Sequence, residues 1–259
     1  MSLVIIKIGG STIDTPGLIQ EFAQSVGDIC YDYRPAIVHG GGKDIARQLD
    51  SLKKEYSFVE GMRVTDAETI KVVQMVLSGD VNKRIVNELL LERVPAVGIS
   101  GVDGGLLTVS KMLVNGQDIG FVGEIKNINT DVLTALFEYS FIPVISPVSR
   151  GKDGEFYNVN ADLAASKLAM VYEAEDLIFI SDVPGVMIDG AVRKTIRVSE
   201  IEGLIASGDI TGGMIPKLRS AAEAVQKGVG RVHICGWNGS DTLLNELTEE
   251  NSTGTVIQE

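Results

Sequence analysis

The chain has 259 residues, 44% of them hydrophobic and 22% charged, and this length suffices for one large domain or two small ones. Aromatic residues contribute only 5%, so we expect an aliphatic core of the kind found in sheets covered by helices. The formal net charge of −12 argues against a broad nucleic-acid-binding surface, although local lysines and backbone N–H groups can still hold a nucleotide in an acidic protein.

The first apolar run does not have the pattern of a signal peptide, because Lys7 and two glycines interrupt it at once. No stretch of the sequence reaches the length of a membrane helix, and two cysteines are too few for a disulfide framework. The sequence therefore predicts a cytoplasmic protein that binds neither a membrane nor nucleic acid.

Short β-branched runs that end in glycine alternate with helical patterns, which is typical of an α/β fold with parallel strands. The predicted strands are residues 3–8, 35–39, 94–99, 142–145, 176–180 and 231–235. The predicted helices are residues 17–29, 43–53, 66–92 with a break at Gly79, 130–139, 161–173, 198–207 and 216–228. In residues 106–126 apolar and polar residues alternate less regularly and several glycines occur, which indicates a β-hairpin region. Together these elements predict a three-layer αβα sandwich with a mostly parallel central sheet and two lobes that divide near residues 150–175.

Glycine turns follow three of these strands, at residues 9–10, 40–42 and 100–101, and Asp182 follows a fourth. Because the carboxyl ends of parallel strands meet at one edge of a sheet, where ligands bind, we expect these turns to converge there. This convergence predicts a ligand-binding site at that edge.

Two lysines stand where an anion would stabilise them. Lys7 lies inside an apolar strand, where burial is costly unless an anion meets the ammonium group, and the glycines after it let backbone N–H groups approach a ligand. Lys217 begins a helix, which is unfavourable for the helix dipole unless an anion lies there. The pattern indicates a phosphate clamp, with a lysine that extends into solvent at a strand end as the alternative for Lys7.

Other polar residues near the turns also have structural explanations. Asp162 lies in the first turn of a helix, where a carboxylate either caps the helix or serves the chemistry. His39 ends a strand, where a histidine is more often structural than catalytic. The sequence contains no P-loop, no protein-kinase signature and no G-x-G-x-x-G dinucleotide fingerprint, which argues against those nucleotide-binding classes.

In their order and spacing, several segments of the chain resemble the acetylglutamate kinases of the amino-acid kinase family. They are residues 7–10, 39–42, 61–66, 77–83, 96–104, 158–162, 181–185 and 212–217, so the resemblance covers nearly the whole chain. It implies a single amino-acid kinase domain over residues 1–259, with a lobe for the acyl substrate and dimerisation at about 1–170 and a nucleotide-binding lobe at about 171–259. It also implies ATP-dependent phosphorylation of the side-chain carboxylate of N-acetyl-L-glutamate, a step of arginine biosynthesis.

The resemblance implies a role for each motif residue. Lys7 and Lys217 flank the transferring phosphoryl group, and Asp162 holds both lysines in position. The implied substrate-binding residues are Gly41, Gly42, Arg63, Asn158 and Asn160, of which Arg63 grips the α-carboxylate of the substrate. The implied nucleotide-binding residues are Gly9, Gly10, Ser181, Asp182, Gly185, Gly212, Gly213 and Met214. No dedicated metal site is expected, since Mg²⁺ would be carried by the ATP phosphates.

This reaction needs no general base, because a carboxylate nucleophile is already ionised at neutral pH. Two alternatives stay open: a related family member that acts on N-acetylaminoadipate or carrier-bound aminoadipate, and a non-catalytic module that binds a nucleotide or an amino acid. The short segment before Leu3 leaves no room for the additional N-terminal helix of the hexameric, arginine-inhibited members of the resembled family. We therefore expect a homodimer that arginine does not inhibit.

Overall fold

A computed structural model describes residues 1–15, 17–248 and 251–259 of the chain. The strands, in chain order, are β1 (Ser2–Ile8), β2 (Tyr33–His39), β3 (Phe58–Val59), β4 (Met62–Arg63), β5 (Ala96–Ser100), β6 (Leu107–Val114), β7 (Gln117–Ile128), β8 (Ile142–Ser146), β9 (Ser149–Gly151), β10 (Phe156–Tyr157), β11 (Asp176–Ser181), β12 (Met187–Ile188), β13 (Ala191–Val192), β14 (Thr195–Arg197), β15 (Arg231–Gly236) and β16 (Thr255–Gln258). The α-helices are α1 (Ser11–Asp14), α2 (Leu18–Ile29), α3 (Gly42–Ser51), α4 (Ala67–Gln74), α5 (Asn82–Leu91), α6 (Thr130–Glu138), α7 (Ala161–Val171), α8 (Ile201–Ser207), α9 (Met214–Gln226) and α10 (Thr242–Thr248). A π-helical segment, Met75–Val81, joins α4 to α5, and Asp103–Gly105 and Val198–Glu200 are short 3₁₀ turns.

Eight strands form one central sheet in the order β14–β16–β15–β11–β1–β2–β8–β5. Every neighbouring pair in this sheet is parallel except β15 and β16. Residues of β1 alternate between two cores, with Ile5 packed on one face of the sheet and Ile6 on the other. Helices α7 and α9 cover the first face, and α2 and α5 cover the second. The predicted αβα sandwich with a mostly parallel sheet is therefore confirmed.

The predicted elements agree with the structure along most of the chain. The hairpin expected at residues 106–126 is the antiparallel pair of β6 and β7. The predicted break at Gly79 lies in the π-helical segment that separates α4 from α5, so the α-helical pattern is interrupted there although the chain stays helical. Helix α10 and strands β14 and β16 were not predicted, because each is short and lies in polar sequence without a clear period. Among the described residues, no helix combines the length and apolar character that a membrane crossing requires.

A buried ionic network joins β11, β15 and α10. The side chains of Asp176, His233 and Glu246 are fully buried. His233 Nε2 lies 2.8 Å from Asp176 Oδ1, and the guanidinium of Arg231 donates to both oxygens of the same carboxylate over 2.8 and 3.1 Å. Burial alone would lower the pKa of His233, but hydrogen bonding and the charges of the two carboxylates raise it above its usual value.

Glu246 links this network to the C-terminal strand. Its carboxylate accepts hydrogen bonds from the Ser252 hydroxyl (2.8 Å) and from the N–H groups of Thr253 (2.9 Å) and Gly254 (3.0 Å). Burial acts to raise the pKa of Glu246, but these donors and the adjacent His233 lower the pKa to about 2. The ionised carboxylate therefore fixes the loop that leads into β16.

We expect Glu246→Gln to lower the free energy of unfolding by roughly 2–3 kcal/mol at neutral pH, because His233 and the loop donors lose a charged acceptor. A depressed carboxyl pKa contributes stability above its usual value of 4.5, and this contribution is lost as the pH falls toward 2. Urea unfolding between about pH 7 and pH 3 measures both effects, with the exposed Glu138→Gln as control. The unmodified chain should lose more stability over that range than Glu246→Gln, and equal losses would contradict this account.

Candidate active site

Glycine turns after β1 and β2 meet at one edge of the central sheet, as predicted, whereas the turn at residues 100–101 follows the outermost strand β5 and packs against Val148 and Ser149. The N–H of Gly40 donates to the carbonyl oxygen of Ile8 over 2.8 Å, which ties the two turns together. Asp182, which follows β11, lies against Gly10, since a β-carbon on Gly10 would be 2.6 Å from Asp182 Oδ1. Gly10 also has a φ of +55°, which a residue without a β-carbon adopts readily. Three adjacent strand ends thus bring flexible backbone and a carboxylate to the same edge.

Two lysines share one carboxylate at this edge. Lys7 Nζ lies 2.9 Å from Asp162 Oδ1, and Lys217 Nζ lies 3.2 Å from Asp162 Oδ2. Lys7 belongs to β1, while Asp162 and Lys217 lie in the first turns of α7 and α9. The two lysine side chains are 15% and 17% exposed, so both ammonium groups are largely shielded but still reachable. The structure brings together the three residues that were predicted to be catalytic.

The electrostatics of this trio favour an anion. Burial acts to raise the pKa of Asp162, but the charges of Lys7 and Lys217 outweigh it and hold the pKa below its usual range. The carboxylate is therefore ionised at neutral pH and offsets only one of the two positive charges. Lys217 Nζ also lies 5.2 Å from the centroid of the Phe179 ring, a cation–π distance. A net positive charge beside glycine turns is an arrangement that can stabilise a transferring phosphoryl group.

Asn160 caps the helix that carries Asp162. Its Oδ1 accepts hydrogen bonds from the N–H groups of Asp162 (2.8 Å) and Leu163 (3.2 Å). The cap is therefore supplied by Asn160, and the carboxylate of Asp162 is left for the two lysines. Asn160 also borders the neighbouring cavity, so its predicted role in substrate binding stays a prediction.

A cavity of about 200 Å³ opens beside the turn that follows β2. This turn touches the Lys7 turn, since a β-carbon on Gly40 would be 3.8 Å from the α-carbon of Gly9. The cavity is lined by all of the predicted substrate-binding residues, Gly41, Gly42, Arg63, Asn158 and Asn160. Its apolar lining includes Ile45, Phe58, Leu77, Met112, Val122 and Leu163. A mixed lining of this kind suits a small acyl ligand with both polar and apolar groups.

Arg63 provides the main positive charge of the cavity. The residue is only 7% exposed, and its Nη2 donates to the carbonyl oxygen of Gly42 over 2.9 Å. Its Nη1 is buried and has no hydrogen-bond partner in the described part of the chain. Burial lowers the pKa of Arg63, but an arginine keeps its charge under physiological conditions. A buried guanidinium with one unsatisfied nitrogen in a cavity wall is suited to bind a carboxylate.

Asn158 is fixed next to Arg63 through a hydroxyl group. Its Nδ2 donates to Thr65 Oγ1 over 3.3 Å, and the same hydroxyl donates to the carbonyl oxygen of Arg63 over 2.8 Å. The backbone of Asn158 bonds to β7 through Phe121 and Gly123. The amide and the guanidinium are therefore held on adjacent parts of one cavity wall.

His39 has the structural role that was predicted for it. The ring is fully buried, its Nδ1 lies 2.8 Å from the carbonyl oxygen of Gly40, and its Nε2 lies 3.1 Å from Asn82 Nδ2. Burial lowers the pKa of His39 to about 4, so the ring is neutral near pH 7. Because the amide nitrogen can only donate, Nε2 is the acceptor and Nδ1 donates to Gly40. His39 thus holds the glycine turn against the helix that begins at Asn82.

The predicted nucleotide-binding residues lie on separate loops at this edge. Gly9 and Gly10 follow β1, Ser181 ends β11, and Asp182 begins the loop after it. A second loop leads into α9, where Gly212 and Gly213 are exposed and Met214 is the first helical residue. Their roles toward a nucleotide stay predictions.

Gly185 differs from the other predicted nucleotide-binding residues because it is buried. A β-carbon on Gly185 would lie 2.7 Å from Val192 Cγ1 and 2.9 Å from Thr255 Oγ1. The structure therefore gives Gly185 a packing role against the C-terminal strand and does not bring it to the exposed face of the loop.

Some of the cavity residues were not identified from the sequence. Phe58, Leu77 and Met112 line the cavity, and none of them carries a polar group that marks a site. A hairpin signal was available for Phe58, since glycine lies between short apolar runs at residues 58–64. Within the described ranges, no group of three or more histidine, cysteine, aspartate and glutamate side chains is placed to hold a metal ion.

We expect Gly41→Ala to destabilise the fold by about 1–3 kcal/mol, because a side chain there is both strained and obstructed. Gly41 has a φ of +149°, and a β-carbon would lie 2.7 Å from Leu77 Cδ2. Gly42→Ala is the matched control for stability, since nothing lies within 4 Å of a β-carbon there and the residue begins α3. Thermal unfolding of the two variants measures the difference, and equal melting temperatures would disprove the packing argument.

The family assignment from the sequence agrees with this geometry. The model of the amino acid kinase family matches residues 2–236. The chain belongs to the amino acid kinase family. Within it, an acetylglutamate kinase of Aquifex aeolicus (strain VF5) is 44% identical to this chain, and the match covers 98% of this chain and 90% of that relative. An acetylglutamate kinase of Polynucleobacter necessarius subsp. necessarius (strain STIR1) is 42% identical to this chain, and the match covers 98% of this chain and 88% of that relative.

A solved structure supports the same fold for this amino acid kinase family member. N-acetylglutamate synthase of Neisseria gonorrhoeae, in complex with coenzyme A and N-acetyl-glutamate, matches with a TM-score of 0.89 at 24% identity. The match covers 100% of this chain and 59% of that chain. At this identity the likeness concerns the fold alone.

Proposed function

We propose that the chain transfers the γ-phosphoryl group of ATP to the side-chain carboxylate of N-acetyl-L-glutamate, as a step of arginine biosynthesis. The observation that carries the proposal is that two groups of cationic side chains lie next to each other. Lys7 and Lys217 share Asp162 at the sheet edge, and the adjoining cavity holds the buried Arg63 with an unsatisfied Nη1. The relatives at 44% and 42% identity, both acetylglutamate kinases, support the choice of acceptor.

The proposed chemistry needs charge compensation rather than a base. The acceptor carboxylate is ionised at neutral pH, so the barrier lies in bringing it to a polyanionic phosphate. Lys7 and Lys217 would stabilise the negative charge on the transferring group, with Asp162 fixing their positions. Gly41 and Gly42 would direct N–H groups at the acceptor from the start of α3.

The nucleotide would bind on the other side of the lysines. Glycines 9–10 and the loops at 181–182 and 212–214 offer backbone that can approach the phosphates closely. Mg²⁺ would arrive on the ATP phosphates, because ATP-dependent transfer generally uses a metal that bridges phosphate oxygens. Asp182 lies against Gly10, beside the backbone proposed to approach the phosphates.

We also propose how the chain divides into lobes, how it assembles and where it acts. About residues 1–170 would form the lobe for the acyl substrate and dimerisation, and about residues 171–259 the lobe for the nucleotide. The family resemblance implies a homodimer and a biosynthetic enzyme of the cytoplasm. Mass measurement by light scattering tests the oligomeric state, and a monomer mass at assay concentration would contradict the dimer.

A panel of acceptors tests the proposed function. ADP release is measured with N-acetyl-L-glutamate, L-glutamate, N-acetylaminoadipate, aspartate and carbamate, with an acceptor-free reaction as blank. Trapping with hydroxylamine identifies an acyl phosphate, because that product yields a hydroxamate. We expect turnover mainly with N-acetyl-L-glutamate. Preference for N-acetylaminoadipate would indicate the related kinase, and ATP binding without turnover on any acceptor would indicate a binding module.

A further inference from the structure

Two aromatic rings form a corner around the guanidinium of Arg63. Arg63 Cζ lies 4.5 Å from the ring centroid of Tyr56 and 4.7 Å from that of Phe58. The two centroids are 6.0 Å apart and the ring planes meet at 84°. These three distances place the rings at nearly a right angle as seen from Cζ, so they form two adjacent walls rather than a sandwich.

The exposures of these residues explain what the corner does. Arg63 is 7% exposed, whereas Tyr56 is 36% and Phe58 is 54% exposed. The rings thus lie toward the surface and separate the guanidinium from water on two sides. Rings left this exposed gain little from core packing, and both of them contact the cation as well as each other.

The local structure holds both rings in place. Phe58 and Arg63 are cross-strand partners in the hairpin of β3 and β4, whose turn has positive φ at Glu60 (48°) and Gly61 (75°). This turn geometry suits a tight two-residue hairpin. The register therefore sets the position of Phe58 beside Arg63.

The segment that carries Tyr56 is held by Lys54, two residues before it. The ammonium group of Lys54 lies 2.8 Å from Asp66 Oδ2 and 2.8 Å from Glu68 Oε2. Asp66 is the N-cap of α4, so Lys54 joins the loop that carries Tyr56 to the start of that helix. The second wall of the corner is consequently fixed by an element other than the hairpin.

We propose that Tyr56 and Phe58 are positioning residues that orient the guanidinium of Arg63 toward the acyl substrate. With two walls on the rings and Nη2 bonded to Gly42, the guanidinium is held in the cavity wall, and its buried Nη1 has no hydrogen-bond partner among the described residues. The corner would favour acceptors that carry an α-carboxylate. The inference rests on the proposed function, because that function supplies the carboxylate.

Ring removal tests the corner. Tyr56→Leu and Phe58→Leu should each raise the KM for N-acetyl-L-glutamate about two- to fivefold, with kcat and the KM for ATP nearly unchanged. Tyr56→Phe keeps the ring and should restore the original KM. Tyr31→Leu, which removes an 82% exposed tyrosine outside the cavity lining, is the matched control and should have no effect. A loss of kcat without a change of KM, or no rescue by Tyr56→Phe, would overturn the proposal.

A double-mutant cycle with Arg63→Gln separates a direct role from one through Arg63. The value compared is kcat/KM, with the Kd of N-acetyl-L-glutamate from calorimetry as a second readout. When Arg63 is present, Tyr56→Leu should lower kcat/KM and raise the Kd. In the Arg63→Gln background it should change each of these values less than about twofold. Equal losses in both backgrounds would reject the positioning role. If the unmodified chain binds the substrate with this coupling but turns nothing over, the kinase proposal fails and the corner stands.

Discussion

Lys217→Ala is expected to lower kcat about 10²–10³-fold while the KM for N-acetyl-L-glutamate changes less than about threefold. Lys217 lies at the edge with Lys7 and Asp162, outside the cavity that holds Arg63. Its ammonium group would therefore act on the charge of the transferring phosphoryl group and contribute little to holding the acceptor. Steady-state kinetics with varied acceptor and saturating ATP measure this split.

Lys227→Ala is the control for Lys217→Ala, because Lys227 follows the same helix and also pairs with a carboxylate. Its Nζ lies 2.7 Å from Glu223 Oε1. We expect this variant to keep the activity of the unmodified chain. If Lys217→Ala raises KM and leaves kcat intact, Lys217 binds the acceptor instead, and its role in the transition state is refuted.

Asp162→Asn is expected to reduce kcat about 10²-fold or more, because the two lysines then repel each other without a shared counter-charge. Lys7 and Lys217 each lie within 3.2 Å of this carboxylate, so its removal affects both positions at once. The depressed pKa of Asp162 also means that its contribution to stability is present above the usual value of 3.8 and fades as the pH falls below it. Kinetics at neutral pH and unfolding at several pH values measure the two effects.

Glu223→Gln is the matched control for Asp162→Asn. Glu223 also bridges two lysines, with Oε1 at 3.2 Å from Lys167 Nζ and 2.7 Å from Lys227 Nζ, but it lies on the surface of α9. Its loss should leave kcat unchanged. Similar losses of activity in both variants would mean that a bridged lysine pair matters for stability and not for phosphoryl transfer.

The strands and glycine turns were predictable because they depend on local sequence. A β-branched run before glycine reports a buried strand and its end, and parallel pairing then places those ends at one edge. The meeting of Lys7 with Lys217 was not predictable from spacing, since distant parts of the chain supply them. It was expected only through the resemblance to a known family, and the distances to Asp162 agree with that expectation.

The less predictable features depend on packing. Asn160 reads as one more polar residue near a motif, and only the structure shows that its side chain caps α7. Gly185 reads as part of a glycine loop, but its space is taken by Val192 and Thr255. The sequence signals the hairpin at residues 58–64 but not the corner of Tyr56 and Phe58, because exposed aromatic residues are common and only the register of the hairpin places Phe58 beside Arg63.

The π-helical segment between α4 and α5 makes this stretch sensitive to length. Buried residues recur there at intervals of four, at Thr69, Val73, Leu77, Val81, Ile85 and Leu89. With 3.6 residues per turn, each such interval rotates an α-helical side chain by about 40°, so five intervals would turn the row to the opposite side. Wider π-helical turns reverse part of this rotation and keep the row facing the core. A one-residue deletion within 75–81 would therefore let an ordinary α-helix keep the row on the core side, whereas a one-residue insertion there would rotate α5 out of phase with Leu77, which packs beneath Gly41.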